Sequence, residues 1–282
     1  MGFTIAVSGK GGSGKTTLAA LIIRLLSEQF GKKVMAVDAD PNSTLGAMLG
    51  AEPTRTVADL REDAVGATGG RPSFVGRNDR ASAGRPYNVP AGADRGREIE
   101  RLIHETISEQ KGFDLLTMER PEGPKCYCYV NHLLRTFLDH LSRTLPCVVV
   151  DNEAGMEHLS RRTTNDVDLL LVVSGPTVAE ITSARRIHEL ADTLPIKVKK
   201  QGLVINRASG QTGMSAPPFR LPEAVARHLD ETGLEVVARV PQSQAVLGLS
   251  QEGRPITEMS LDDPAARAVA EMVRREVLHK EH

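Results

Sequence analysis

The chain has 282 residues, a formal net charge of -1 at pH 7, and an aromatic content of only 3% with no tryptophan. A nearly neutral chain has no electrostatic reason to bind nucleic acid or an anionic membrane, and few aromatics leave no stacking platform for bases. Three cysteines in a chain of this length do not build a disulfide framework. The sequence has no apolar run as long as a membrane span and opens directly into a predicted strand, so we expect a cytoplasmic protein.

A glycine-rich stretch at residues 9–17 lies between a predicted β-branched strand at residues 4–7 and a predicted amphipathic helix at residues 18–26. It matches the phosphate-binding pattern G-x-x-x-x-G-K-[ST] at Gly9, Gly14, Lys15 and Thr16. Glycines let backbone N–H groups curl around phosphate oxygens, and the start of the helix adds partial positive charge. The lysine reaches the outer phosphates and the threonine is placed to hold Mg²⁺, so ATP or ADP with Mg²⁺ is the expected ligand. The candidate nucleotide-binding residues are Gly11, Gly12, Ser13, Gly14, Lys15, Thr16 and Thr17.

The same glycines also fit a dinucleotide fingerprint, G-x-G-x-x-G. In that interpretation Asp38, at the end of the next predicted strand, would bind a ribose. A dinucleotide turn, however, has no use for a lysine and a Mg²⁺-binding hydroxyl directly after its third glycine. The Lys-Thr-Thr sequence at residues 15–17 therefore favours a nucleoside triphosphate over NAD.

Acidic residues follow two predicted strands. The strand at residues 33–37 is followed by Asp38 and Asp40, and the strand at residues 147–150 is followed by Asp151. Open α/β sheets bind ligands at the carboxyl ends of their strands, and an acid in this place lies on the Mg²⁺ side of a P-loop. A glycine just beyond it, here Gly155, can donate its N–H to the γ-phosphate. A helix cap would explain one of the first two aspartates but not both.

Two cysteines, Cys126 and Cys128, are separated by one residue near the middle of the chain. In an extended segment they face the same side, so both sulfurs can bind one soft metal ion. A tetrahedral ion needs two more ligands, and a two-fold axis through the metal would supply them from a second chain. The spacing is equally compatible with packing or with a strained disulfide. The remaining cysteine, Cys147, starts an apolar strand and is interpreted as a buried core thiol.

The alternation of strands and helices predicts a single doubly wound α/β domain over residues 1–282, with about seven mostly parallel strands. Residues 62–96 are rich in glycine, arginine, alanine and serine and lack periodicity, so we interpret them as a flexible insertion. Helical spacing resumes over residues 99–107. The C-terminal helix at residues 265–278 has no aromatic residue and is expected to pack against the domain rather than on a membrane. Further strands are predicted at residues 114–118, 169–173, 201–205 and 236–240.

Together these motifs resemble the deviant P-loop ATPases of the MinD/ParA group. In that group the lysine after the first glycine, here Lys10, crosses a dimer interface to the partner's nucleotide, although a solvated surface lysine is the alternative. The resemblance implies that Lys10 and Lys15 stabilise charge on the phosphates, that Asp40 orients the attacking water, and that Asp38 stays near Mg²⁺. It also implies a base site at two strand ends. The residues of that site would be Asn206, Arg207 and Pro241, with the asparagine amide contacting adenine, although an Asn-Arg pair is also compatible with a simple turn.

Two further strings resemble the CooC type of accessory ATPase, which helps to insert nickel into carbon monoxide dehydrogenase. They are Arg-Pro-Glu-Gly-Pro-x-Cys-Tyr-Cys at residues 120–128 and Asp-Asn-Glu-Ala-Gly-Met-Glu-His-Leu-Ser-Arg-Arg-Thr at residues 151–163. This resemblance implies an ATP-dependent homodimer in which Cys126 and Cys128 of both chains share one Ni²⁺ or Zn²⁺, together with a client metalloenzyme. Residues 62–96 fit the pattern poorly and leave the client open. The alternatives are a positioning or partition ATPase that needs no metal, and an iron–sulfur ATP-dependent reductase.

Overall fold

The computed structural model describes residues 2–59, 101–102, 104–118, 141, 145–152, 166–193, 197–208 and 221–278. The strands are β1 Phe3–Gly9, β2 Val34–Asp38, β3 Ile107–Glu109, β4 Phe113–Thr117, β5 Cys147–Asp151, β6 Asp166–Ser174, β7 Lys197–Ala208 and β8 Val236–Pro241. The longer helices are α1 Lys15–Arg24, α2 Leu45–Leu49, α3 Val178–Thr193, α4 Glu223–Asp230, α5 Gln244–Gln251 and α6 Pro264–Glu276. Helix α1 continues into a π-helical stretch, Leu25–Gln29, and a short 3-10 helix covers Ile256–Glu258.

The strands form one sheet in the order β3-β4-β2-β5-β1-β6-β7-β8. Within the described residues every neighbouring pair runs parallel except β3 with β4. Every residue of β2 and of β5 is buried, because helices cover both faces of a parallel sheet and its central strands are therefore apolar throughout. The prediction of a doubly wound, mostly parallel α/β sheet is confirmed, with eight strands where about seven were expected.

Helices α1 and α6 pack on one face of the sheet, and α3 packs on the other face over β6 and β7. Helix α6 buries its apolar stripe in the main core, including Val269 and Val273, which confirms that this helix packs against the domain. Cys147 lies in the same core with 3% exposure, which confirms its interpretation as a buried core residue. No helix in the described part of the chain has the length and apolarity needed to cross a bilayer.

Several predicted boundaries differ from those observed. The strands predicted at residues 169–173 and 201–205 are longer in the structure, Asp166–Ser174 and Lys197–Ala208. The helical spacing at residues 99–107 continues only to Thr106, and Ile107 begins the antiparallel edge strand β3, where it pairs with Leu116. From Ile107 onward, the backbone forms its hydrogen bonds with β4 and not within a helix. This tertiary pairing overrides the local helical spacing of the apolar residues. The predicted insertion at residues 62–96, the cysteines Cys126 and Cys128, and Gly155 lie outside the described residues.

The strand register decides which side chains meet at the carboxyl edge of the sheet. Asp38 of β2 is the register partner of Asp151 in β5 and of Thr117 in β4. In each of the three strands, the residue two positions earlier belongs to the core that α1 covers. Side chains two residues apart lie on the same face of a strand, so all three side chains face the α1 side of the sheet. The acids that the sequence placed on separate strands are therefore direct neighbours.

Candidate functional site

The glycine-rich stretch forms a tight turn between β1 and α1. The Ser13 N–H donates to the Lys10 carbonyl at 3.1 Å. A Cβ on Gly9 would lie 2.4 Å from the Val173 carbonyl oxygen of β6, so no side chain fits there. Gly14 has a φ of 93° and a Cβ there would lie 2.2 Å from Asn206 Nδ2. Close contact with the Val173 backbone therefore requires Gly9, and the left-handed backbone conformation together with the nearby Asn206 side chain favours Gly14.

The two lysines of the turn have different surroundings. Lys15 is buried, and its Nζ lies 3.5 Å from the Lys10 carbonyl oxygen, so its ammonium group curls back over the turn. Lys10 is exposed to solvent. Burial of Lys15 at the start of α1 places a cation beside backbone N–H groups where phosphates would bind. The predicted role of Lys10 across a dimer interface stays a prediction.

Asp38 and Asp151 are both fully buried but differ in their hydrogen bonds. Asp38 Oδ2 accepts the Leu45 N–H at 2.9 Å, and its Oδ1 accepts the Asp40 N–H at 3.3 Å. Neither carboxylate oxygen of Asp151 has a hydrogen-bond partner among the described residues. Asp38 thus fixes the loop between β2 and α2 by hydrogen bonds, whereas both oxygens of Asp151 are available to a ligand from outside the described residues.

Burial is the main cause that raises the pKa of both acids. It raises the pKa of Asp38 to about 7, an effect that the Leu45 N–H opposes and the neighbouring Asp151 reinforces. The pKa of Asp151 is raised to about 6, because burial outweighs the lowering by the Thr16 hydroxyl and the Lys15 ammonium. Thr16 lies near enough to affect this pKa, although it forms no hydrogen bond with Asp151 by distance and angle.

These residues fit a Mg²⁺ ion. A hard divalent cation prefers oxygen ligands, and two buried acids side by side are stable together when a cation compensates their charge. The open oxygens of Asp151 and the hydroxyl of Thr16 are the groups that would hold the ion, directly or through its water ligands. Both oxygens of Asp38 accept hydrogen bonds from backbone N–H groups, so Asp38 would influence the ion through its charge and not as a direct ligand.

Asp40 lies in the loop that Asp38 fixes and is partly buried. Its Oδ1 accepts hydrogen bonds from the Asn42 backbone N–H at 2.9 Å and from Asn42 Nδ2 at 2.8 Å. Ser43, the next residue, has a φ of 48°, which is strained for a residue other than glycine. The loop therefore holds the Asp40 carboxylate in a defined orientation close to the two buried acids, which is compatible with its predicted role toward a water molecule.

A cavity of about 330 Å³ lies beside the phosphate-binding turn. The turn and α1 form one side, the ends of β7 and β8 form another, and α5 closes the third. The three residues predicted to hold the base, Asn206, Arg207 and Pro241, all line this cavity together with Gly14 and Thr17. Asn206 Nδ2 also donates to the Ser13 carbonyl at 2.9 Å, which links the base cavity to the phosphate-binding turn. The structure thus brings the predicted base residues together next to the predicted phosphate residues.

Two polar residues at this edge of the sheet, Thr117 and Asn152, were not predicted from the sequence to belong to the site. Buried side-chain oxygens without a hydrogen-bond partner occur, within the described ranges, on Ser13, Thr117, Asp151 and Asn152. All four residues lie at the carboxyl ends of β1, β4 and β5, and a buried polar group that the protein leaves unpaired is a place for water or ligand. Asn152 directly follows Asp151, so its position next to a predicted site residue could have identified it. Thr117 ends β4 and became visible only through the strand register.

The profile of the CobQ/CobB/MinD/ParA nucleotide binding domain matches residues 4–256. The chain is 34% identical over 271 residues to an uncharacterized ATP-binding protein of Methanocaldococcus jannaschii, with 96% of this chain and 97% of that protein covered. It is 30% identical over 244 residues to the carbon monoxide dehydrogenase accessory protein CooC of Rhodospirillum rubrum, with 82% of this chain and 88% of that protein covered.

The fold is similar to that of the cell division ATPase MinD of Pyrococcus furiosus, with a TM-score of 0.64, 21% identity and both chains fully covered. It is also similar to MinD of Pyrococcus horikoshii in complex with Mg-ADP, with a TM-score of 0.63, 18% identity and coverage of 99% and 98%. At these identities the likeness concerns the fold alone. The family profile and the relatives above, taken with the phosphate-binding turn, lead to one conclusion: the chain belongs to the CobQ/CobB/MinD/ParA family of nucleotide-binding domains and is a P-loop ATPase.

Proposed function

We propose that the chain is an ATP-hydrolysing maturation factor that assists nickel insertion into carbon monoxide dehydrogenase. The observation that carries the proposal is the 30% identity to CooC, which covers 82% of this chain. The cysteine pair Cys126 and Cys128, in a CooC-like string, supports it. A positioning ATPase has no need of paired thiolates. Cytoplasmic location and a homodimer are parts of the same proposal.

In this proposal the nucleotide site performs an in-line attack of water on the γ-phosphate. Lys15, with Lys10 of a second chain and the Gly155 N–H, stabilises the charge that develops on the phosphate oxygens. Asp40 orients the attacking water. When bound, Mg²⁺ neutralises phosphate charge, and Thr16 and Asp151 are the residues that would hold it.

The nickel ion is the cargo of this cycle. Cys126 and Cys128 of each chain would share one ion across a two-fold axis, which makes the ligand set complete only in the dimer. The two CooC-like strings start just after β4 and at the last residue of β5, and these two strands flank Asp38 in register. We therefore expect a change at the nucleotide site to influence the chain segment after β4 that carries the cysteines.

Nickel transfer to a client tests the proposal. Nickel-free carbon monoxide dehydrogenase is mixed with the nickel-loaded chain and Mg-ATP, and the recovery of carbon monoxide oxidation is measured. We expect recovery with the wild-type chain, and little recovery with Lys15→Ala or with a double Ser variant at Cys126 and Cys128. The variant Cys147→Ser is the matched control, because that thiol is buried in the core and belongs to neither predicted set of ligands, and it should support recovery.

A positioning or partition ATPase is the second candidate. The septum site-determining protein MinD of Bacillus subtilis is 24% identical to the chain over 272 residues, which favours this alternative. Such an ATPase would leave the dehydrogenase inactive in the transfer assay and would hydrolyse ATP at the same rate with or without nickel. An iron–sulfur reductase would instead be coloured and sensitive to oxygen as purified.

A further inference from the structure

An ion pair at the rim of the base cavity has no role in the reaction described so far. Arg207, which lines the cavity, pairs with Glu180 in the first turn of α3. The Glu180 side chain is 19% exposed and the Arg207 side chain is 45% exposed. Surface ion pairs with this exposure usually contribute little to stability, so stability alone does not explain why the surrounding structure is built to hold this pair.

The backbone at Arg207 is strained and is fixed to the phosphate-binding turn. Arg207 has a φ of 55°, in the left-handed region that residues other than glycine avoid. Asn206 Oδ1 accepts the Arg207 N–H at 2.9 Å, while Asn206 Nδ2 donates to the Ser13 carbonyl at 2.9 Å. One amide side chain therefore sets the position of Arg207 relative to the phosphate site. Strain of this kind concentrates where a ligand must be met in a fixed geometry.

Glu180 is held equally firmly from its own side. The Thr177 hydroxyl donates to Glu180 Oε2 at 2.7 Å, and the Glu180 N–H donates to Thr177 Oγ at 3.3 Å, as in a helix-capping arrangement. A Cβ on Gly175 would lie 2.3 Å from Glu180 Oε2, so the space next to the carboxylate is kept free by a glycine. Helix capping explains the contact of Glu180 with Thr177. It does not explain the ion pair with Arg207.

We propose that Glu180 is a positioning residue for nucleotide binding, which holds the Arg207 guanidinium against the nucleobase in the cavity. Pairing with a carboxylate compensates the charge of Arg207 and leaves its flat faces available, and guanidinium groups stack on aromatic rings. The phosphates already have Lys15 and the turn as partners, so the base is the part of the nucleotide that Arg207 meets. This inference rests on nucleotide binding and is independent of the nickel-insertion function.

The test compares a ligand that has a base with one that lacks it. Affinities for Mg-ATP and for Mg-tripolyphosphate are measured by calorimetry for the wild-type chain and for Glu180→Gln. Glutamine preserves the capping geometry but removes the charge. The matched control is Glu189→Gln on the same helix, because Glu189 pairs with Arg185 at 2.8 Å, is 58% exposed, and does not line the cavity.

We expect Glu180→Gln to weaken Mg-ATP about threefold to tenfold while Mg-tripolyphosphate and the control are unchanged. Arg207→Ala should produce the same selective loss, and the two changes together should add little to either alone, because both remove one interaction. An unchanged affinity for Mg-ATP in Glu180→Gln, or an equal loss for both ligands, overturns the proposal. If Glu180→Gln has a lower melting temperature than Glu189→Gln, the result for Arg207→Ala is used instead. A loss of affinity for Mg-ATP but not for Mg-tripolyphosphate in that variant supports the proposal, and no such loss overturns it.

Discussion

Replacing Asp151 with asparagine should make the ligand-free protein more stable while it abolishes efficient hydrolysis. In the wild-type chain the Asp151 carboxyl is completely buried and both of its oxygens lack a hydrogen-bond partner among the described residues. Burial raises its pKa from 3.8 to about 6. The native state therefore keeps a proton that the unfolded chain releases between these two values, so stability is highest below the lower pKa and falls as pH rises through the upper one.

The size of the effect follows from this shift. Each pKa unit corresponds to about 1.4 kcal/mol, so ionised Asp151 costs the native state about 3 kcal/mol above the upper pKa. Asparagine has no charge but is itself a buried polar group, so a net gain of about 1–3 kcal/mol at about pH 8 is expected. At about pH 4 the aspartate is protonated in the native state and the two proteins should be nearly equal. Asp38 does not cancel from the difference, because removal of the Asp151 charge also removes a repulsion that raises the Asp38 pKa, which adds to the gain in stability at high pH.

Urea unfolding of both proteins at these two pH values measures the difference, and an ATPase assay measures the loss of function. The increase in the free energy of unfolding that Mg-ADP causes should also be smaller in the variant, because the ion loses a carboxylate partner. A variant that is less stable than wild type at about pH 8, or a difference in stability that does not change with pH, would refute the assignment of Asp151 as the open acid.

Three further predictions concern the nucleotide site and the core. Lys15→Ala should reduce hydrolysis at least about a hundredfold while the fold survives, because it removes the main cation aimed at the phosphates; a rate close to wild type in a steady-state assay would contradict the P-loop assignment. Asp40→Asn should still bind nucleotide but turn over slowly, and equal loss of binding and turnover would place Asp40 in ground-state binding. Arg24→Met should lower the free energy of unfolding by about 2–4 kcal/mol, because the buried Arg24 Nη1 donates to the Ile256 carbonyl at 3.0 Å and the Met259 carbonyl at 2.6 Å. Arg254→Met, which breaks only exposed ion pairs, is its control and should change urea unfolding little.

Local signals in the sequence identified the fold and the phosphate site. The central strands are continuous apolar runs because they are buried on both faces, and the glycines of the turn are required by close backbone contacts such as that of Gly9 with Val173. Both features can be recognised in short stretches of sequence, although the contact that requires Gly9 is made with a distant strand. Ile107 fits a helical pattern just as locally, and only its pairing with Leu116 makes it a strand residue.

The different roles of Asp38 and Asp151 could not be predicted from the sequence. Both are acids at strand ends, and they differ only because the Leu45 and Asp40 N–H groups point at one of them. The pair of Glu180 with Arg207 was invisible for a similar reason, since the two residues are on different elements. Contacts of this kind are set by packing and not by the spacing of residue types.

In the proposed function, metal binding and dimer formation are linked through a thiolate site that two chains share. Sedimentation equilibrium combined with metal analysis, with and without Mg-ATP, tests it most directly. We expect one Ni²⁺ or Zn²⁺ per two chains, a shift toward dimer on metal binding, and a further shift with ATP, because each ligand favours the same associated state. Serine at both Cys126 and Cys128 should abolish tight metal binding and leave basal hydrolysis, whereas Cys147→Ser should retain the metal. One ion per chain in a monomer, or metal retained by the double variant, would rule out the shared thiolate site.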